Sequence, residues 1–88
     1  MKTVFKSSFA KDLKAIKSKP VLDAVAKLIE LVETAPNLRV IPDVKKLKAK
    51  GNYYRIKLGD HRVGIIATRN EITFVRCVDR KEIYRYFP

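Results

Sequence analysis

The stretch NYYRIKLGDHRVGII, residues 52–66, carries the clearest fold signal in the chain. It reads as two short strands joined by a tight turn at Gly59-Asp60. Successive side chains of a strand point to opposite faces. Tyr54, Ile56 and Leu58 therefore share one face, and Tyr53, Arg55 and Lys57 share the other. The first set can sit on a core. The second carries two cations and a ring, and Arg62 follows just after the turn. Its facing depends on the turn, because turn geometry sets the register. A solvated sheet face is reason enough for any one of these cations. The set, on a basic chain, points to a face that grips a polyanion.

Beyond the hairpin, a third strand spans about residues 72–78 after an Arg69-Asn70 turn, so strands are expected near 53–58, 62–68 and 72–78. Upstream, KTVFK at residues 2–6 can form another strand. Ser7 or Ser8 can then cap a helix, with Asp12 supporting its N-terminal region. Phe9, Leu13 and Ile16 fall at helical spacing and make one apolar stripe. Lys19-Pro20 breaks that helix, and Pro20 suits the first turn of a second. In the second helix Val21, Val25, Leu28 and Val32 form one row, which Leu22, Ile29 and Leu31 widen. Pro36 follows its end. Residues 37–51 look irregular, and the tail DRKEIYRYFP can be a last helical turn or an extended arm. The order is β-α-α-β-β-β plus a tail. It predicts one α+β domain over residues 1–88, in two layers. The two N-terminal helices pack on one face of a small, mainly antiparallel sheet. The other face, with Arg55 and Lys57, is left for solvent or a ligand.

Composition narrows the partners. The chain has 88 residues, 20 Lys plus Arg against 9 Asp plus Glu, and a formal net charge of +11. A field of that sign suits nucleic acid, a ribosomal surface, an anionic membrane or an acidic protein. Lys45, Lys46, Lys48 and Lys50 make the most basic stretch, and no acid interrupts the run from Lys45 to Lys57. Lys11, Lys14 and Lys17 add cations around the first helix. Cys77 is the only cysteine and His61 the only histidine, so neither a disulfide nor a zinc site is expected. No apolar run has the length of a signal peptide or a membrane span. A soluble cytoplasmic protein is expected, with no metal and no cofactor.

The familiar catalytic sets are absent: no Ser-His-Asp arrangement and no phosphate-cradling glycine loop. Cations and a hydroxyl can still support one reaction, cleavage of RNA by its own 2'-OH. The substrate supplies the nucleophile. The protein must align it, move two protons and stabilise a phosphorane. A guanidinium fork suits the last task because it binds two oxygens at once. Tyr can hold a base or share a proton.

YYRIKLGDHRVGII followed by ITFVRCVDRKEIYR resembles the C-terminal half of the RelE/ParE superfamily of bacterial toxins, and the preceding strand–helix–helix order matches it too. The likeness is strongest to the RelE branch. It implies a RelE-like fold and a ribosome-dependent mRNA endonuclease paired with a neutralising antitoxin. By position, the resemblance implies that the catalytic residues are Arg55, Lys57, Arg62, Arg80 and Tyr84. Lys57, with Arg55, would serve proton transfer and phosphate contact. Arg62 and Arg80 would meet transition-state charge, and Tyr84 would orient the nucleotide. Lys11, Lys14, Lys17, Lys45, Lys46, Lys48 and Lys50 would contact RNA phosphates. His61, at a position often aromatic in the family, joins them as an RNA-contacting residue, with a structural role as the other reading. Val78-Asp79 stands where many relatives carry Gly-His, so Asp79 becomes either a substitute acid or base or an ion-pair partner of Arg80. Arg55 replaces a Lys, and Arg exchanges protons poorly.

The implied partners are an acidic, partly disordered antitoxin, mRNA and the ribosome. Operator DNA would be bound only as the toxin–antitoxin complex, and no membrane is involved. The alternatives are a ParE-like inhibitor of DNA gyrase, which needs no nuclease residues, and a non-catalytic or attenuated nucleic-acid-binding member of the fold.

Overall fold

A computed structural model describes residues 1–88. The chain runs β1 (Lys2–Phe5), α1 (Ser7–Ala15), α2 (Lys19–Thr34), a 3-10 turn at Leu38–Val40, β2 (Val44–Lys46), β3 (Tyr53–Leu58), β4 (His61–Ala67), β5 (Glu71–Asp79) and a short α3 (Ile83–Tyr86). The expected α+β order is present with one strand more. β2 is three residues long, follows Pro42 and carries two lysines, which leaves too little alternation to stand out in the sequence. No helix is long and apolar enough to cross a membrane.

The sheet order is β1-β5-β4-β3-β2. β2 to β5 form an antiparallel meander, and β1 joins the far edge parallel to β5, from Lys2 opposite Glu71 to Phe5 opposite Phe74. The pleat works as the alternation requires. Ile56, Val63, Ile65, Ile72, Phe74 and Cys77 face the helices and are buried with Phe9, Val25, Leu28 and Val32. Tyr54 and Leu58 pack against that core. Phe9 and Phe74 meet at 5.2 Å between ring centroids, and Phe5 lies 5.3 Å from Phe74. Ser18 caps α2 by accepting the Val21 N–H, with Pro20 in the first turn.

α1 has a second task besides burying Phe9. β1 covers the edge of β5 only as far as Phe74, and bare N–H and C=O groups beyond it would be unpaired. Ser8 Oγ donates to the Val75 carbonyl at 2.6 Å, and Asp12 accepts the Cys77 N–H at 2.9 Å. Asp12 also receives a two-point ion pair from Arg76, at 2.7 Å from Nε and 2.9 Å from Nη2. These contacts correct the expected capping. The residue before α1 is Lys6, which makes no side-chain cap, while Ser8 and Asp12 serve β5 instead. Hydrogen bonding to Asp12 holds the Arg76 pKa above its ordinary value. Burial, with the Asp12 charge second, pushes the Cys77 thiol up to about 12.

The face away from α1 and α2 is only partly open, which corrects the expectation of a bare sheet. The tail turns back as α3, and Ile83 and Phe87 are buried on that face. Gly64 makes this possible. A Cβ there would stand 2.6 Å from the Phe87 ring. Tyr53 meets the same ring edge-on, at 5.6 Å between centroids.

Candidate functional site

The hairpin of β3 and β4 builds the site. Its register sets Lys57 opposite Arg62 and Arg55 opposite Gly64. β2 adds Lys45 opposite Arg55. Directly opposed residues on neighbouring strands stand about 5 Å apart at Cβ. Arg55, Lys57 and Arg62 therefore share the face away from the helices, with Arg62 on the cation side as the register decides. Gly59, at φ +59°, makes the turn. Arg62 is held back over it, donating from Nη1 to the carbonyls of Gly59 at 2.8 Å and His61 at 2.9 Å. A guanidinium has five N–H donors, so the others remain for a ligand.

Arg55, Lys57, Arg62 and Lys45 line a shallow groove of about 270 Å³ together with Asp43 and Val44. Beside it lies an apolar hollow of about 210 Å³, walled by Leu47, Ala49, Ile83 and Phe87 and reached by Lys48 and Tyr84. Arg55 lines both. Its guanidinium hydrogen-bonds the Tyr84 hydroxyl and lies 5.0 Å from the centre of that ring. Tyr84 is 71% exposed, so α3 carries it out into solvent beside Arg55. The second strong cation–ring pair, Arg76 over Tyr86 at 4.5 Å, holds the opposite side of α3 to β5.

The remaining expected site residues are scattered. Arg80 follows β5 directly. Its N–H donates to the Asp60 carbonyl at 2.9 Å, which ties it to the β3–β4 turn. Its side chain is exposed, makes no ion pair and does not line the groove. Lys48 reaches the apolar hollow. Lys46 and Lys50 are exposed away from the groove. Lys11 and Lys14 lie on α1, and Lys17 in the link after it, all exposed. α1 flanks β5, three strands from β2 in the sheet order. These lysines therefore make a separate basic area.

Two expectations need correction. His61 does not join the RNA-facing set. It pairs with Leu58 and Asp79 on the helix side of the sheet, and its Nδ1 is buried without a hydrogen-bond partner. Alternation decides this: Val63 and Ile65 are core residues, so His61 must point their way. Asp79 makes no pair with Arg80. Its carboxylate accepts the Lys81 N–H at 2.8 Å, closing the turn after β5. It faces the helix side and lies outside the groove. Sequence reasoning missed Asp43, which stands in the groove among the cations. Its position after Pro42, before a strand too short to recognise, gave no signal.

The family described as the ParE toxin of the type II toxin-antitoxin system, parDE, matches residues 4–84. Toxin RelE3 of Methanocaldococcus jannaschii is 38% identical over 89 residues, covering the whole of both chains. The toxin in a RelB-RelE antitoxin-toxin complex from Methanococcus jannaschii superposes with a TM-score of 0.82 at 36% identity, over 97% of this chain and 99% of that one. YafQ from E. coli shares the fold, with a TM-score of 0.75 at 15% identity over 93% and 96% of the two chains. The chain belongs to the RelE/ParE superfamily of toxins from toxin–antitoxin systems.

Proposed function

We propose that the protein is a ribosome-dependent endoribonuclease. It cleaves mRNA in the ribosomal A site without a metal and so inhibits translation. One observation supports this reading above the others: a cation-lined groove and an apolar hollow share Arg55 as their common wall, with Tyr84 against it. A nucleotide has these two parts, a charged phosphate and a flat base. The base suits the hollow and the Tyr84 ring, because base–aromatic stacking contributes about 1–3 kcal/mol. The phosphate suits Arg55, Lys57 and Arg62.

The chemistry follows from that seating. The 2'-oxygen forms a bond to phosphorus as the bond from phosphorus to the 5'-oxygen breaks. The products are a 2',3'-cyclic phosphate and a 5'-hydroxyl. Extra negative charge on the phosphorane meets the free N–H groups of Arg62 and Arg55. Lys57, opposite Arg62 and on the same strand face as Arg55, can protonate the departing 5'-oxygen. Arg80, tied by its backbone to the turn that holds Arg62, completes the charge around the phosphate when RNA is bound.

The partners follow the same reading. An acidic, partly disordered antitoxin would neutralise a chain of net charge +11 and fold on binding. The structure of the Methanococcus jannaschii relative is an antitoxin-toxin complex, which supports this. The exposed lysines of α1 and of residues 45–50 would meet ribosomal RNA phosphates.

Inhibition of DNA gyrase is the second reading, favoured by the ParE description of the matching family. One experiment separates the two. The purified protein is incubated in EDTA with mRNA, with and without programmed ribosomes, and the cut ends are mapped. Expected are ribosome-dependent cuts that survive EDTA and fall about 100-fold or more in Arg62→Ala, as for loss of a transition-state donor. Arg80→Ala should lose them too. No cleavage in any condition, with gyrase inhibited instead, overturns the proposal.

A further inference from the structure

Tyr84 stands against Arg55, yet the core does not hold it there. It is 71% exposed and rides on α3, a helical turn of four residues with no side-chain cap at its start. A backbone bond from the Phe87 N–H to the Ile83 carbonyl, at 2.8 Å, closes that turn. A helix this short has little stability of its own. Ile83 and Phe87 anchor it, both buried. They stand four apart, so they lie nearly in line along one face of the turn. Two anchors in line fix where α3 sits but let it roll about that line.

The sheet below supplies what stops the roll. Arg55 on β3, Gly64 on β4 and Arg76 on β5 oppose one another in one row across the strands. Val75 makes the row possible. Gly64 pairs with Arg76 and Ile65 with Phe74, so Val75 is an extra residue without a partner. Such a bulge re-aims the side chains that follow it. Phe74 and Cys77 both face the core, and Arg76 emerges beside Gly64, under α3. Three rings of the tail rest on this row. Tyr84 meets Arg55 at 5.0 Å, Phe87 lies over Gly64, and Tyr86 meets Arg76 at 4.5 Å. At about 100° per residue, Tyr84 and Tyr86 leave the turn on opposite sides of the line from Ile83 to Phe87.

The two arginines are not equivalent. Arg55 has no carboxylate partner and lines the groove. Arg76 is clamped by Asp12 at 2.7 and 2.9 Å and lines neither the groove nor the hollow. It offers Tyr86 a fixed, flat support, while Arg55 stays available to phosphate.

We propose that Arg76 is a positioning residue for RNA cleavage: it holds Tyr86, which stops α3 from rolling and so keeps Tyr84 where it orients the nucleotide. The inference rests on the nuclease reading above. The test uses the full chain on programmed ribosomes in EDTA, with the cleavage rate at saturating protein and the ribosome affinity measured separately. Tyr86 is half-exposed, so Tyr86→Leu should fold normally while removing the ring from Arg76. Its cleavage rate should fall about 10-fold at wild-type affinity, as for a misplaced orienting group. Tyr86→Phe, which keeps a ring, should restore most of the rate. Arg76→Lys keeps a charge for Asp12 but loses the planar fork, and should slow cleavage as Tyr86→Leu does. In a Tyr84→Ala background, Tyr86→Leu should cause no further loss, because the residue it positions is gone. A wild-type rate in Tyr86→Leu, a loss of affinity in place of rate, or an equal loss in the Tyr84→Ala background overturns the role of Arg76 and leaves the nuclease reading standing. No cleavage by the wild-type protein overturns both.

Discussion

The two faces of the one sheet are held in different ways. Toward α1 and α2, a continuous cluster of twelve buried residues joins every strand but β1 and β2 through its own side chains. On the opposite face, Ile83 and Phe87 are the buried apolar residues, and they cover only the strip over Gly64. Beside that strip lie the cationic groove and the apolar hollow. Burial of a large apolar side chain contributes about 1.5–3 kcal/mol. The helix face can thus carry the fold while the other face keeps its charges wet and unpaired. Stability and function are separated by the period of two in β3 and β4.

Four measurements probe that separation. The largest effect is expected at Asp12→Ala, on the side that carries the fold. It leaves Arg76 partly buried without its partner and exposes the edge of β5. The pair is part-buried, and each hydrogen bond to a charged group contributes about 1.5–3 kcal/mol, with the bond from the Cys77 N–H lost as well. Denaturant unfolding should show that loss; a loss as small as that of an exposed lysine would mean α1 is not an anchor.

Cys77 comes next. Its thiol is raised from 9.0 to about 12 in the fold. The unfolded chain therefore releases this proton first. The contribution of Cys77 is complete below pH 9 and is lost as pH rises toward about 12. The slope within that window approaches about 1.4 kcal/mol per pH unit. Lysines and tyrosines titrate there too, so the readout is the difference in slope between wild type and Cys77→Ala. Equal slopes would show that the thiol is not shielded.

Gly64→Ala acts on the opposite face. The new methyl collides with the Phe87 ring, and overpacking of this kind costs about 1–3 kcal/mol. The tail can also leave to relieve the clash. Fluorescence of the tyrosines and protease sensitivity after Arg80 should both report it. A fully docked tail in Gly64→Ala would mean that Phe87 is not seated on the glycine.

The smallest effect on stability is expected from Lys11→Gln, Lys14→Gln and Lys17→Gln combined. Each is exposed, and surface changes of this kind stay within about 0.5 kcal/mol. Ribosome binding should nonetheless weaken, and the slope of its salt dependence should drop by about one for each phosphate no longer held. An unchanged salt slope would remove α1 from the ribosome-facing surface.

Alternation in YYRIKL and the helical rows of residues 21–32 were enough to place the core, because both faces are written in repeating apolar positions. The site was half legible. Arg55, Lys57 and Arg62 share a strand pair, so spacing and register bring them together. Tyr84 reaches them only because α3 folds back over Gly64, a close approach that no local pattern announces. Asp12 looked like a helix-end residue because its partner, Arg76, lies 64 positions away. Asp43 was invisible because three residues of β2 carry no periodicity. His61 could have been placed by counting in twos from Val63 and Ile65.

The parallel pairing of β1 with β5 also governs timing. The first strand made has its sole strand partner in the last, and the Asp12–Arg76 clamp spans nearly as much chain. Closing such long loops must precede any reward from the contacts they permit, which slows folding. During synthesis β1 and α1 wait, unpaired, until residues 71–79 have emerged. The hairpin bearing the cations is complete earlier but has no finished core beneath it. A chain interrupted before β5 therefore carries the charges of the groove without the rigid frame that would hold them in place.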